Sequence, residues 1–121
     1  MKYIKYSVIK KSILTVFTIC FWTPVFAYDP YECLSDVSSI DTKIPVGLAT
    51  ELCSGTWNKE PVNCYLGASL IDQEIPRGLA IKLCTGTVDA KKTLECYAKS
   101  GSKNLNRGLA TTLCGKGQVN N

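Results

Sequence analysis

The sequence predicts an all-α fold, in which three tandem helical hairpins of about 31 residues, each stapled by a disulfide, pack as one small domain. Three observations predict it. A seven-residue frame recurs as GLATELC, GLAIKLC and GLATTLC, closing at Cys53, Cys84 and Cys114. Each of these cysteines has an upstream mate in a matching context: Cys33 in ECL, Cys64 in NCY and Cys96 in ECY. The apolar residues of the frame fall on one side of a helix, a stripe that strand alternation does not produce.

The first element is an export signal, residues 1–27, which is excluded from the fold. Lys2, Lys5, Lys10 and Lys11 give a positive start, SILTVFTICFW an apolar run, and Val25 and Ala27 a small-residue exit before Tyr28. The run is shorter than the roughly 20 apolar residues a membrane-spanning helix needs, and Pro24 ends it. Cys20 belongs to this discarded segment. The whole chain carries a formal +4, and the signal holds four lysines with no acid, so Tyr28–Asn121 is close to neutral. That balance leaves no basic stripe for nucleic acid and no polybasic patch for an anionic membrane.

Three units follow, at 28–57, 58–88 and 89–117, with 118–121 as a frayed tail. In each, a first helix is expected to open near Pro30, Pro61 or Thr93, with Asp29 and Glu60 just before the prolines, where an acid favours a helix start. A second helix is expected from Pro45, Pro76 or Asn106. It ends at a left-handed glycine, Gly55 or Gly86, and in the third unit at Gly115 or Gly117. The second helices carry the stripe: Leu48, Ala49, Leu52 and Cys53; Leu79, Ala80, Leu83 and Cys84; Leu109, Ala110, Leu113 and Cys114. Ala49, Ala80 and Ala110 let backbones approach, and the recurrence of Gly47, Gly78 and Gly108 suggests a packing role, although common descent of the units would also produce it. The first helices offer Leu34 and Val37, Tyr65 and Ala68, and Tyr97. The third is weakest, because KSGSKN is polar and two residues shorter.

Helices of about 8–10 residues are too short to stand alone in water. In an antiparallel hairpin the opening turn of the first helix lies beside the closing turn of the second, so a disulfide there clamps the open end. Six cysteines in an exported chain read as such a framework. Fifteen connectivities are possible, including linker-crossing pairs such as Cys53 with Cys64 and Cys84 with Cys96. Within-unit pairing (Cys33–Cys53, Cys64–Cys84, Cys96–Cys114) treats the three repeats alike.

No catalytic, cofactor or metal site is expected. The chain has no His, which removes Ser–His–Asp and Cys–His catalysis. The cysteine spacing is unlike the close pairs of zinc sites, and there is no Cys-x-x-Cys. GKG at 115–117 lacks the frame of a phosphate loop. The functional expectation is therefore a secreted or periplasmic protein-interaction module, an inhibitor or effector, with an unknown protein as partner and Trp57, Arg77 and Arg107 as candidate contacts. Trp57 is also expected to pack over the start of the next helix. Two alternatives stand beside this. One is a small hydrolase using two carboxylates, Asp72 with Glu74 or Asp36 with Asp41. The other is a membrane-active helical protein.

Overall fold

The computed structural model describes residues 27–115. Except for Ala27, the expected signal peptide lies outside the described residues, as do Gly117 and the tail 118–121.

Among the described residues six helices run in chain order: α1 Pro30–Ile40, α2 Val46–Cys53, α3 Glu60–Ile71, α4 Arg77–Cys84, α5 Ala90–Ser102 and α6 Arg107–Cys114. They pair as α1/α2, α3/α4 and α5/α6. The pairs stack so that α1, α3 and α5 form one layer, and α2, α4 and α6 the other. Among the described residues the helices of the first and third hairpins make no direct packing contact, and the middle hairpin touches both neighbours in an open array. Disulfides join Cys33 to Cys53, Cys64 to Cys84 and Cys96 to Cys114, with Cα atoms 5.6, 5.4 and 5.6 Å apart. The within-unit pairing is the one present, and each bridge ties a first helix to the last residue of its partner.

Local chemistry sets the helix ends. Asp29 caps α1 by accepting the Tyr31 and Glu32 N–H groups at 2.9 Å. Asn106 caps α6 through the Leu109 N–H. The third first helix opens three residues earlier than expected. Asp89 caps it by accepting from the Lys92 N–H, so Thr93 is already interior and its buried hydroxyl bonds that of Thr87 at 2.8 Å. Cys96 therefore lies in the second turn of α5. The first helices, at 11, 12 and 13 residues, are longer than expected, and α5, the weakest by sequence, is the longest. Glu60 caps no turn of its own; its carboxylate accepts the Ala90 N–H at 2.8 Å, closing the start of α5 in the next hairpin.

Gly55 and Gly86 end α2 and α4 at φ 67° and 76°, as expected of left-handed caps. Gly115 does not: its φ is −77°. Its lack of a side chain serves close approach instead, because a Cβ there would meet Thr111 O at 2.6 Å and Lys82 O at 3.1 Å. Among the described residues nothing packs tightly against the recurring Gly47, Gly78 and Gly108. A Cβ would meet nothing within 4 Å at the first two, and only the Asn106 side chain, at 3.4 Å, at the third.

Val37, Leu52, Ile81 and Leu83 form the buried centre with the cysteines and Ala49, Ala68, Ala80 and Ala110. Tyr65 and Tyr97 are buried beside it, as expected. The stripe fails only in the third hairpin. Leu52 and Leu83 are fully buried, but the equivalent Leu113 is 51 % exposed and Leu109 55 %.

Candidate functional site

A cluster of titratable groups lies at each of the two junctions between hairpins. Asp41 and Asp72 follow the last residues of α1 and α3. In each, Oδ1 accepts a backbone N–H two residues on, from Lys43 and Glu74 respectively, which orients the carboxylate across the turn. The next hairpin then grips it from two helices. At the first junction Asp41 Oδ2 accepts the Tyr65 hydroxyl at 2.7 Å and Arg77 Nε at 2.7 Å, while Oδ1 accepts Arg77 Nη2 at 2.9 Å. At the second, Asp72 Oδ2 accepts Tyr97 at 2.7 Å and Arg107 Nε at 2.6 Å, while Oδ1 accepts Nη2 at 2.8 Å. The bidentate fork fixes the angle of one hairpin against the next.

The electrostatics follow from this contact. The Arg107 guanidinium holds the Asp72 carboxyl well below the usual carboxylate range against the opposing effect of burial, with Tyr97 assisting. Arg77 does the same to Asp41, with Tyr65. Burial first, and then the bond to the aspartate, push the Tyr65 and Tyr97 phenols from 10.0 to about 12. Both arginines are held more firmly protonated by their aspartates. At neutral pH each aspartate is thus ionised, with no proton to give. Its partners are fixed donors, an arrangement suited to a structural joint and poorly suited to general acid chemistry.

The sequence-derived candidates fall into place around these clamps. Arg77 and Arg107, read as partner contacts, are engaged within the chain, though about half of each side chain stays exposed. The Glu74 backbone N–H donates to Asp72, but the two carboxylates are linked through Arg107, whose Nη2 lies 3.5 Å from the well-exposed Glu74. Asp36 and Asp41 belong to separate networks. Asp36 accepts from Tyr28 at 3.0 Å, with Lys59 at 4.0 Å from it and stacked over the Tyr28 ring. Trp57 does not pack over the next helix. It is 70 % exposed at the turn after α2, and Val88 occupies the same place after α4 at 59 %.

Grooves flank this framework. One of about 500 Å³ lies beside the second clamp, between Ile71, Tyr97, Ala98 and Leu105. One of about 500 Å³ lies on the outer face of the third hairpin, and one of about 210 Å³ on the outer face of the first, over Pro30, Tyr31 and Leu34. Among the described residues no three metal-ligating side chains cluster, and no helix is long and apolar enough to cross a membrane. The three disulfides accord with an oxidising compartment. No known family model, curated protein or solved structure matches the chain.

Proposed function

We propose that the chain is an exported, non-catalytic protein-binding module, secreted or periplasmic, whose disulfide-rigidified helical array presents preformed contacts to a protein partner. The observation that carries this reading is the exposure of Trp57. A tryptophan 70 % exposed, at a turn anchored on both sides by disulfide-bonded helices, is a preorganised anchor of the kind that dominates protein interfaces. Val88 repeats its position in the next hairpin, so the apolar contact extends along the array. The carboxylates that a two-acid hydrolase would use support the same reading, because Asp41 and Asp72 are committed to their junctions.

The test immobilises the oxidised protein from Tyr28 onward and measures capture of secreted and surface proteins, wild type against Trp57→Ala. Capture of a defined protein that Trp57→Ala weakens at least tenfold is the expected result. Capture indifferent to Trp57 would remove the anchor. Turnover of a glycoside panel abolished by Asp72→Asn would replace the reading with an enzymatic one.

A further inference from the structure

The three hairpins are not equivalent at their outer faces. Counted from the first cysteine of each unit, Asp29, Glu60 and Lys92 share one position, Asp36, Gly67 and Lys99 a second, and Ile40, Ile71 and Lys103 a third. In the second hairpin these residues meet the next one: Glu60 caps α5, and Gly67 leaves room for the Leu94 side chain. Leu52 and Leu83 are sealed in the same way. In the third hairpin the same face carries Lys92, Lys99 and Lys103, all exposed, around the half-exposed Leu113. Together with Cys96 and Leu105 they line the outer groove of about 500 Å³, where Glu95 is the single acid. Nothing among the described residues covers it.

We propose that this face is a docking surface for an acidic amphipathic helix of a partner protein. Its shape is that of a helix-accepting surface, since α3 and α4 present the corresponding face to α5 and α6. Its charge selects an acidic occupant: unit 89–117 has six Lys and Arg against two acids, whereas unit 28–57 has one against five. The near-neutral total conceals this polarity. A second copy of the chain is a poor occupant. The face that would stack in register belongs to the first hairpin and is chiefly uncharged, with Tyr31, Leu34, Val46 and Thr50, and carries a single acid at its edge, Glu51, where the third hairpin sets Thr112 against Lys82. That hairpin has Leu34 and Val46 where the clamp tyrosine and arginine would stand, and the third lacks the clamp aspartate. Its shorter turn is closed instead by Asn104 at φ 60°, with Leu105 N–H on Ser100 O and Asn104 N–H on Gly101 O.

This inference rests on the protein-binding reading and is tested separately from it. The probe is a labelled helical peptide with leucines at i, i+3, i+4 and i+7 and glutamates flanking them, compared with the same peptide carrying lysines. The glutamate peptide is expected to bind the oxidised protein at least tenfold more tightly. The Lys92→Glu/Lys99→Glu/Lys103→Glu variant should lose that binding while keeping its disulfides and melting temperature, and Leu113→Ser should weaken it several-fold. Amide shifts on titration should map to Lys92, Lys99 and Leu113. Equal affinity for the two peptides, or an unaffected triple variant, would overturn the proposal, as would lysine-dependent binding to phosphatidylglycerol vesicles in place of the peptide. Shifts confined to Trp57 would also overturn it while leaving the protein-binding reading intact.

Discussion

Removing a single hydroxyl tests the junction clamp. Tyr97→Phe keeps the buried ring and deletes the O–H that donates to Asp72 at 2.7 Å; Tyr65→Phe does the same at Asp41. A hydrogen bond to a charged group contributes about 1.5–3 kcal/mol. The rise of each phenol from 10.0 to about 12, caused first by burial and then by the bond to the aspartate, points in the same direction. Part of that rise comes from burial, which Phe retains, and each aspartate keeps its arginine. The expected loss is therefore ~1–2 kcal/mol per site. For a domain of this size each kcal/mol moves Tm by about 4–8 °C, so each variant should melt ~4–16 °C lower at neutral pH. The two junctions share no side chain, and the double variant should show the sum within ~0.5 kcal/mol.

The pH profile supplies a signature that simple loss of packing lacks. The tyrosine pKa is higher folded than unfolded, so its contribution is complete below 10.0 and disappears as pH rises towards about 12. The aspartate pKa is lower folded than unfolded, so its contribution is complete above 3.8 and disappears as pH falls through the folded value. Calorimetry of the oxidised protein across both limbs should show an alkaline loss that shrinks in the Phe variants and an acid loss that persists. Phe variants that melt within ~2 °C of wild type, or an alkaline limb that they leave unchanged, would refute the clamp.

Other expectations follow from single contacts. Cys96→Ser/Cys114→Ser opens a bridge spanning 18 residues and should cost about 3 kcal/mol, read as a lowered denaturant midpoint. Gly115→Ala drives a Cβ onto the Thr111 and Lys82 carbonyls and should destabilise by about 1–3 kcal/mol in thermal melts. Gly47→Ala and Gly78→Ala meet open space in a helical first turn and should each raise stability by up to ~1 kcal/mol. Asp29→Ala removes the two bonds that cap α1 and should cost about 1 kcal/mol, with amide exchange accelerated at Tyr31 and Glu32.

The hairpins were legible in the sequence because their determinants are local. The Leu-Ala-x-x-Leu-Cys stripe, prolines near helix starts, Gly55 and Gly86 past helix ends, and matched cysteines all act within one unit. The junctions were not. Tyr65 with Tyr97 and Arg77 with Arg107 could be seen to repeat, but their common partner lies 24 to 36 residues upstream in another hairpin. The available signal was a missing one. An aspartate eight residues after the first cysteine occurs in the first two units only, while the matching tyrosine and arginine occur in the last two only. Trp57 was misplaced for a related reason: a hydrophobic residue before a helix resembles a staple until the next helix is seen to bury Pro61 and Val62 elsewhere.

That staggered pattern also separates what the repeat conserves from what it varies. A side chain that recurs in all three units serves the hairpin, as the cysteines and Ala49, Ala80 and Ala110 do. Among those that recur in two, Tyr65 with Tyr97 and Arg77 with Arg107 serve the junctions, and Gly55 with Gly86 the helix ends. Some solitary residues serve the fold as well, as Glu60 does at the start of α5, so recognition is best sought among those that are both solitary and exposed. Lys99 replaces an acid and a glycine, Lys103 two isoleucines, and Trp57 stands where the next unit has valine. Changing these should leave melting almost untouched, because they lie outside the core and both clamps. A large stability loss at Lys99 or Lys103 would mean that the outer face of the third hairpin is held by the fold itself, and that its lysines exist to end the stack.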